Sequence, residues 1–349
     1  MDRYLILSDG SAYKGQAFGA QATTSGNIIY NTNMTGYQEV ITNPIYHNQI
    51  VVFTVPTLGN IGIKYQNYES IDPVIKGVVV HSISNISTNR KQKVTLDDFL
   101  KLHNIPGIYD IDTRKLVHQL HVNKNLKASI VDYPDDHAFD QLNATVLPDS
   151  LLDSNQNTYV VPGDGPNIVV LDFGLKKGML RELSKRHANI IVVPASFSLE
   201  NILNLDPDGI ILSSGPGDPN LVDKVILDKI VDLEKQIPLL GIGLGHQLFA
   251  LANGASIEPL QIAHEGSNHP ILEIVTKQIM YANQAENYIV QRKTVNHEDL
   301  LITHVDLIDG SIQGLRHRNY PAFSVEFSPD ATPGPLESTR IFDDFIDML

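Results

Sequence analysis

Cysteine is absent from this 349-residue sequence. Disulfide bonds, thiolate metal sites and cysteine nucleophiles are therefore excluded throughout the chain. The sequence also has no apolar run of the roughly 18 residues that a membrane-spanning helix needs. The apolar run within residues 2–9 is too short for a signal peptide. We therefore expect a cytoplasmic protein without a membrane partner.

Basic residues are few: 26 lysines and arginines stand against 40 aspartates and glutamates, a formal net charge of −14. Because phosphate contacts need clustered lysine and arginine, we do not expect the chain to bind nucleic acid. Its length exceeds the roughly 250 to 300 residues beyond which single cores rarely grow. Two domains are therefore expected.

The chain changes character near its middle. Residues 1–133 read as short strands joined by turns, with helices near 96–103 and over 113–122, which predicts a mixed α+β domain. Residues 134–166 lose this periodicity and carry proline and glycine turn signals, so they predict a linker. From 167 to 349, strands alternate with helices, which predicts an α/β domain with a mostly parallel sheet covered on both faces.

Two loops leave strand ends in this second domain, where such sheets bind ligands. One covers residues 213–219, and the other follows an apolar strand over 238–242. Residues 238–249 have the strand-turn-helix layout of a nucleophile elbow, which raises one reactive side chain above the sheet. Gly243 occupies that position. Because glycine adopts unusual φ/ψ angles at little cost, the turn is kept and the nucleophile is lost.

Seven segments resemble, in order and spacing, segments of one family across essentially the whole chain. They are residues 31–39, 59–62, 111–114, 172–176, 214–219, 241–247 and 329–335. The family is that of the carbamoyl-phosphate synthase small chains, which end in a class I, triad-type glutamine amidotransferase domain. The resemblance thus implies the same two-domain fold.

The resemblance implies a glutaminase in which a cysteine attacks the side-chain amide, a histidine moves protons and a carboxylate orients the histidine. In this chain those three family positions hold Gly243, Ser328 and Asp330. Serine does not shuttle protons at neutral pH, and Asp330 has no imidazole to orient. We therefore expect no intact catalytic residue.

Half of the family positions that contact glutamine or its oxyanion keep the family residue in this chain. Four match the family pattern: Gly215, Gly217, Leu244 and Gln247. Four are altered: Ile45, Ala285, Asn287 and Tyr288. Loss of polar partners from a site built for them can cost specificity factors of about 10⁴. We therefore do not expect tight glutamine binding.

Three serines, a histidine and a glutamate are the candidates for a replacement chemistry. Ser213, Ser214 and Ser328 are hydroxyls near the predicted site, but a serine nucleophile needs an adjacent base. His246, three residues past the elbow, is the candidate base, and a packing or hydrogen-bonding role is preferred for it. Two roles are open for Glu286, a functional acid and a solvated loop carboxylate, and we favour the second.

No metal site is expected in this chain. Four histidines show no short ligand spacing with one another or with carboxylates: His264, His269, His304 and His317. The glycine-rich residues 215–217 lack the layout of a phosphate-binding P-loop and are read as an oxyanion and structural loop.

The resemblance implies a large-chain partner that carries the ATP and Mg sites, so no cofactor is expected here. That partner would make carbamoyl phosphate for arginine or pyrimidine biosynthesis, and a higher oligomer of the heterodimer is left open. Residues 111–114 suit both a subunit contact and a helix N-terminus. We expect a structural or regulatory subunit beside an ammonia-using large chain. The alternative is a free-standing regulatory or amino-acid-sensing protein.

Overall fold

The computed structural model forms two compact units, Met1–Pro148 and Asp149–Leu349. The residues described are 1–87, 94–123, 126–134, 142 and 157–349. The division falls inside the predicted linker, 134–166, of which residues 135–141 and 143–156 lie outside the described residues. The remainder of that segment includes a strand, Tyr159–Val161. Its two valines and tyrosine form a β-prone run between turn residues, so the second unit has structure ahead of residue 167.

Nine strands lie in the described part of the N-terminal unit. They are β1 Asp2–Leu7, β2 Ala12–Gly19, β3 Thr24–Asn31, β4 Gln49–Phe53, β5 Thr57–Leu58, β6 Gly77–Val79, β7 Ser82–Ile83, β8 Pro106–Tyr109 and β9 Lys127–Val131. Seven close into a barrel in the order β1-β2-β8-β6-β4-β3-β9, and β5 pairs with β7. Alternate apolar residues such as Leu5, Ile50 and Val79 fill one core cluster.

Two of the α-helices described in this unit, Leu96–Leu102 and Thr113–Val122, begin at polar caps. The α-helices cover Tyr37–Ile41, Leu96–Leu102 and Thr113–Val122, and shorter 3₁₀ turns cover Pro44–Tyr46 and Tyr65–Asn67. Thr95 accepts a hydrogen bond from the Asp98 N–H at 3.1 Å, and Asp112 accepts one from the Lys115 N–H at 3.0 Å. Each cap satisfies a backbone donor that the first turn leaves unpaired. The mixed α+β prediction is confirmed.

Ten strands of the C-terminal unit form one sheet. They are β10 Tyr159–Val161, β11 Asn167–Asp172, β12 Asn189–Pro194, β13 Gly209–Leu212, β14 Leu239–Ile242, β15 Ile257–Glu273, β16 Ile279–Val290, β17 Leu300–Asp306, β18 Ile312–His317 and β19 Ala322–Val325. Their order is β10-β12-β11-β13-β14-β19-β18-β17-β15-β16. Pairing is parallel from β12 to β19 and antiparallel from β19 to β16.

Helices cover both faces of the parallel part. They are Lys177–Lys185, Leu199–Leu203, Lys224–Glu234, Leu244–Ala252 and Arg340–Ile346, with 3₁₀ turns at Pro219–Leu221, Arg292–Thr294 and Leu336–Thr339. Neighbouring strand residues point to opposite cores: Leu212 belongs to one apolar cluster and Ile211 to the other. The predicted α/β sheet is confirmed. None of the helices in the described part of the chain is both long and apolar enough to cross a membrane.

Candidate functional site

The elbow forms as the sequence predicts. Strand β14 ends at Ile242, and Gly243 adopts φ 57° and ψ −114° immediately before the helix Leu244–Ala252. The Gly243 N–H donates to Val325 O at 2.9 Å, which ties the turn to β19. A Cβ at residue 243 would lie 3.3 Å from Ser214 Cβ. The elbow therefore holds the strained geometry of a nucleophile position, and glycine meets it without a reactive group.

The retained glycines shape the neighbouring loop. A Cβ on Gly215 would lie 2.0 Å from Phe173 O, so only glycine fits this close approach of two backbones. Gly217 is exposed and has φ 105°. Leu244 is buried and packs beside Gly215. These three family positions preserve the framework around the elbow.

Within the described part of the chain, neither hydroxyl beside the elbow, Ser213 or Ser214, has a hydrogen bond to a base. Ser213 Oγ accepts the Phe173 N–H at 2.9 Å and donates to Ser214 O at 2.8 Å. Ser214 Oγ is buried and has no hydrogen-bond partner among the residues that the structure describes. His246 is fully buried, and its Nδ1 lies 2.8 Å from Ser324 Oγ. Burial lowers the pKa of His246 to about 3, so the ring is neutral, and it makes no hydrogen bond to Ser214 Oγ.

The other two triad positions are engaged in structural contacts. The Ser328 N–H donates to Asn283 O at 2.8 Å in an isolated β-bridge. Asp330 Oδ1 lies 3.0 Å from Lys176 Nζ, and Asp330 Oδ2 accepts the Thr332 hydroxyl at 2.6 Å. Both charged side chains of this pair are about 3% exposed. Sequence reasoning identified Asp330 and missed Lys176, although Lys176 stands in one of the family segments.

The side-chain amide of Gln247 donates both of its hydrogens to other residues of the protein. Its Nε2 donates to Glu326 Oε1 at 2.8 Å and to Tyr288 O at 3.3 Å. A glutamine amide carries two donor hydrogens, so both are used. Burial raises the pKa of Glu326 well above its ordinary value, and the nearby Glu286 raises it further. Glu326 is a second residue that sequence reasoning did not single out.

The altered positions lie in different settings. Ile45 belongs to the N-terminal unit, where its N–H donates to Asn43 Oδ1 at 3.1 Å in a 3₁₀ turn. Ala285 is buried on β16, Asn287 is exposed on the same strand, and Tyr288 is half-buried. Burial, together with the neighbouring Asp218, raises the pKa of Tyr288 to about 12. The predicted loss of glutamine contacts at these positions stays a prediction.

Glu286 corrects the expectation of a solvated loop carboxylate. It lies on β16 and is 3% exposed, because residues 284–288 pair with β15 instead of forming a loop. Glu286 Oε2 accepts Gln313 Nε2 at 2.9 Å and lies 3.3 Å from His264 Nδ1. Burial raises the pKa of Glu286, and the contact with His264 opposes that shift. A buried acid of this kind needs polar partners, and the neighbouring strands supply them.

The four histidines separate into two groups. His304 Nδ1 contacts Thr303 Oγ1 at 2.9 Å, and His317 Nδ1 accepts backbone N–H groups of the following turn. Burial lowers the pKa of His304 to about 4. His264 and His269 instead stack with ring centroids 5.4 Å apart. Burial lowers the pKa of His264, but its carboxylate contacts outweigh burial and raise the pKa to about 9.

Comparisons with known proteins match both units. The family model described as carbamoyl-phosphate synthase small chain, CPSase domain, matches residues 5–130. The model for class-I glutamine amidotransferases matches residues 169–348.

Curated relatives match over nearly their full lengths. The carbamoyl phosphate synthase pyrimidine-specific small chain of Lactiplantibacillus plantarum is 47% identical and covers 100% of this chain and 96% of its own length. The carbamoyl phosphate synthase small chain of Streptococcus mutans is 48% identical, with 99% and 96% covered. That of Lactococcus lactis subsp. cremoris is 45% identical, with 99% and 98% covered.

Proposed function

This chain belongs to the family of carbamoyl-phosphate synthase small chains, and from that premise we propose that it is a small subunit without glutaminase activity. It binds a large chain that takes free ammonia and carries the ATP and Mg²⁺ sites of the reaction. Its own role is structural or regulatory. The observation that carries the proposal is Gly243, which stands without a side chain at an elbow built to present one.

Glutamine hydrolysis by this family mechanism needs a nucleophile, a base within hydrogen-bond reach and a group that orients the base. Gly243 supplies no nucleophile. Ser328 cannot act as the base, and the carboxylate of Asp330 is neutralised by Lys176 at 3.0 Å. Ser214 has no base beside it among the described residues, so a replacement serine mechanism is unsupported.

The retained pocket residues also favour loss of glutamine binding. Gln247 directs its donors to Glu326 and Tyr288, which leaves no amide hydrogen for a ligand. The same contacts argue against a free-standing sensor of glutamine. Full-length similarity to small chains supports a large-chain partner, and the name of the Lactiplantibacillus plantarum relative supports pyrimidine biosynthesis as the pathway.

The test is to purify this chain with its cognate large chain and measure glutamate release from glutamine. We expect the two chains to elute as one complex and glutamate to form no faster than without protein. Elution of this chain alone would favour the free-standing alternative. Glutamate release that disappears in a Ser214→Ala variant would instead show that a serine has replaced the missing nucleophile.

A further inference from the structure

Two histidines and an aspartate meet in the antiparallel half of the C-terminal sheet. His264 and His269 lie on β15, and Asp306 ends β17, which pairs with β15 through Ile271 opposite Asp306. Residues five apart on a regular strand point to opposite faces. A register shift between Gly266 and His269 changes this alternation. This register shift explains why spacing in the sequence did not predict that these three side chains lie together.

The three side chains, here called the His-Asp cluster, are close enough to share one ion. One potential ligand atom of each lies within 4.8 Å of the others. The His269 Nδ1 to Asp306 Oδ2 distance is 3.6 Å. Ligand atoms around a tetrahedral zinc ion with bonds of about 2.0 to 2.1 Å are themselves about 3.3 Å apart. Movements of the three side chains by about an ångström would therefore bring their ligand atoms to the spacing found around a zinc ion.

Hydrogen bonding around the cluster is incomplete. At 3.6 Å the contact between His269 and Asp306 is too long for a hydrogen bond, and His269 Nδ1 has no such partner in the described ranges. Gln284 is fully buried and donates Nε2 to Asp306 Oδ2 at 3.0 Å. Its Oε1, like Oε1 of the buried Glu286, is also without a partner among those residues. Buried oxygen acceptors without a hydrogen-bond partner are costly, and a cation bound beside the two imidazoles would interact favourably with them.

The outer contacts resemble those of ligating histidines. His264 Nδ1 lies 3.3 Å from Glu286 Oε2, and His264 Nε2 lies 3.0 Å from Asp309 Oδ2. Metal-bound histidines commonly direct one nitrogen to a carboxylate, which fixes the ring, and Glu286 is that carboxylate for Nδ1 of His264. An ion at Nε2 would displace the proton that this nitrogen shares with Asp309, as metal binding does at other protonated ligands. Asp309 is 38% exposed and Asp306 is fully buried, so the cluster runs from the interior toward solvent. Asp309 thus gives the site an opening to solvent and a fourth ligand atom.

We propose that His264, His269 and Asp306 bind one divalent transition-metal ion such as Zn²⁺, with Asp309 on the side that faces solvent. Imidazole and carboxylate are ligands that such ions take. The ion would hold β15 to β17 and to the turn that follows β17. This role is structural, and it holds whether or not the chain hydrolyses glutamine.

The experiment titrates the full chain, stripped with chelator, with zinc chloride by calorimetry. We expect one equivalent to bind with a Kd of about 1 µM or tighter, together with a rise in the thermal midpoint. Binding should weaken at least about 100-fold in His269→Ala and Asp306→Asn. Asparagine keeps an acceptor for the Ile308 N–H, so the second variant preserves the local turn.

His187→Gln is the matched control, because His187 is exposed and pairs with Asp164 away from the cluster. It should bind zinc like the parent chain. Equal affinity in all variants, or no stoichiometric binding by the parent, would overturn the proposal. If the cluster variants do not fold, X-ray absorption of the zinc-loaded parent decides: two imidazole ligands support the site, and a shell without imidazole refutes it.

Discussion

Replacing Lys176 with methionine is expected to lower the free energy of unfolding by about 3 to 5 kcal/mol. Lys176 Nζ lies 3.0 Å from Asp330 Oδ1 and also donates to Thr332 O at 2.9 Å. Both side chains of the pair are excluded from solvent. Methionine matches the length of lysine but leaves the Asp330 carboxylate buried without a counter-charge. Urea unfolding of the parent and the variant measures the difference.

Lys101→Met is the control for this prediction. Lys101 pairs with Asp97 on an exposed helix face, so its loss should change the free energy of unfolding by less than about 1 kcal/mol. The double variant Lys176→Met, Asp330→Asn removes both charges and should recover much of the stability. A Lys176→Met variant as stable as Lys101→Met would contradict the buried ion pair.

Restoring the three triad residues together is expected to leave glutamate release at background. In the variant Gly243→Cys, Ser328→His, Asp330→Glu, the new carboxylate must turn toward an imidazole. Lys176 already binds the carboxylate of Asp330, which packs so closely on the backbone of Gly178 that no Cβ fits there, so the longer glutamate has little room. Pocket losses add a factor of about 10⁴ or more.

The single variant Gly243→Cys controls for folding. Its side chain must accept φ 57° and ψ −114°, at a cost of about 1 to 3 kcal/mol. The unfolding midpoint of each variant shows whether it is folded when assayed. Glutamate release that rises with the triple variant to a rate typical of enzymes, on the order of 10 s⁻¹, would show that the glutamine pocket has survived. Such recovery would show that the substitutions at residues 243, 328 and 330 alone account for the loss of glutaminase activity.

Local patterns predicted much of the fold. The helix Thr113–Val122 and the strand Asn167–Asp172 lie where periodicity and capping place them. The barrel closure and the antiparallel strands β15 to β18 were not predicted. Barrel closure depends on pairings between distant segments, such as β1 with β9. Strand β15 carries polar residues and register shifts that break the period-two pattern.

The candidate site, like the fold, could be predicted from the sequence only where the features are local. Gly243 could be placed because strand, turn and helix are consecutive in the sequence. The partner of Asp330 could not, because Lys176 is 154 residues away and only the fold joins them. Glu286 was expected to be a solvated loop carboxylate, whereas it lies buried on β16. Its burial follows from β16 pairing with β15, where His264 Nδ1 lies 3.3 Å from its carboxylate.

The most direct test is the nitrogen donor of the complex between this chain and its large chain. Carbamoyl phosphate formation is measured with ammonium chloride and, separately, with glutamine freed of ammonium. We expect synthesis from ammonium, and from glutamine less than about one part in 10⁴ of that rate, because no nucleophile is present at Gly243. Comparable rates with the two donors would contradict the loss of glutaminase activity.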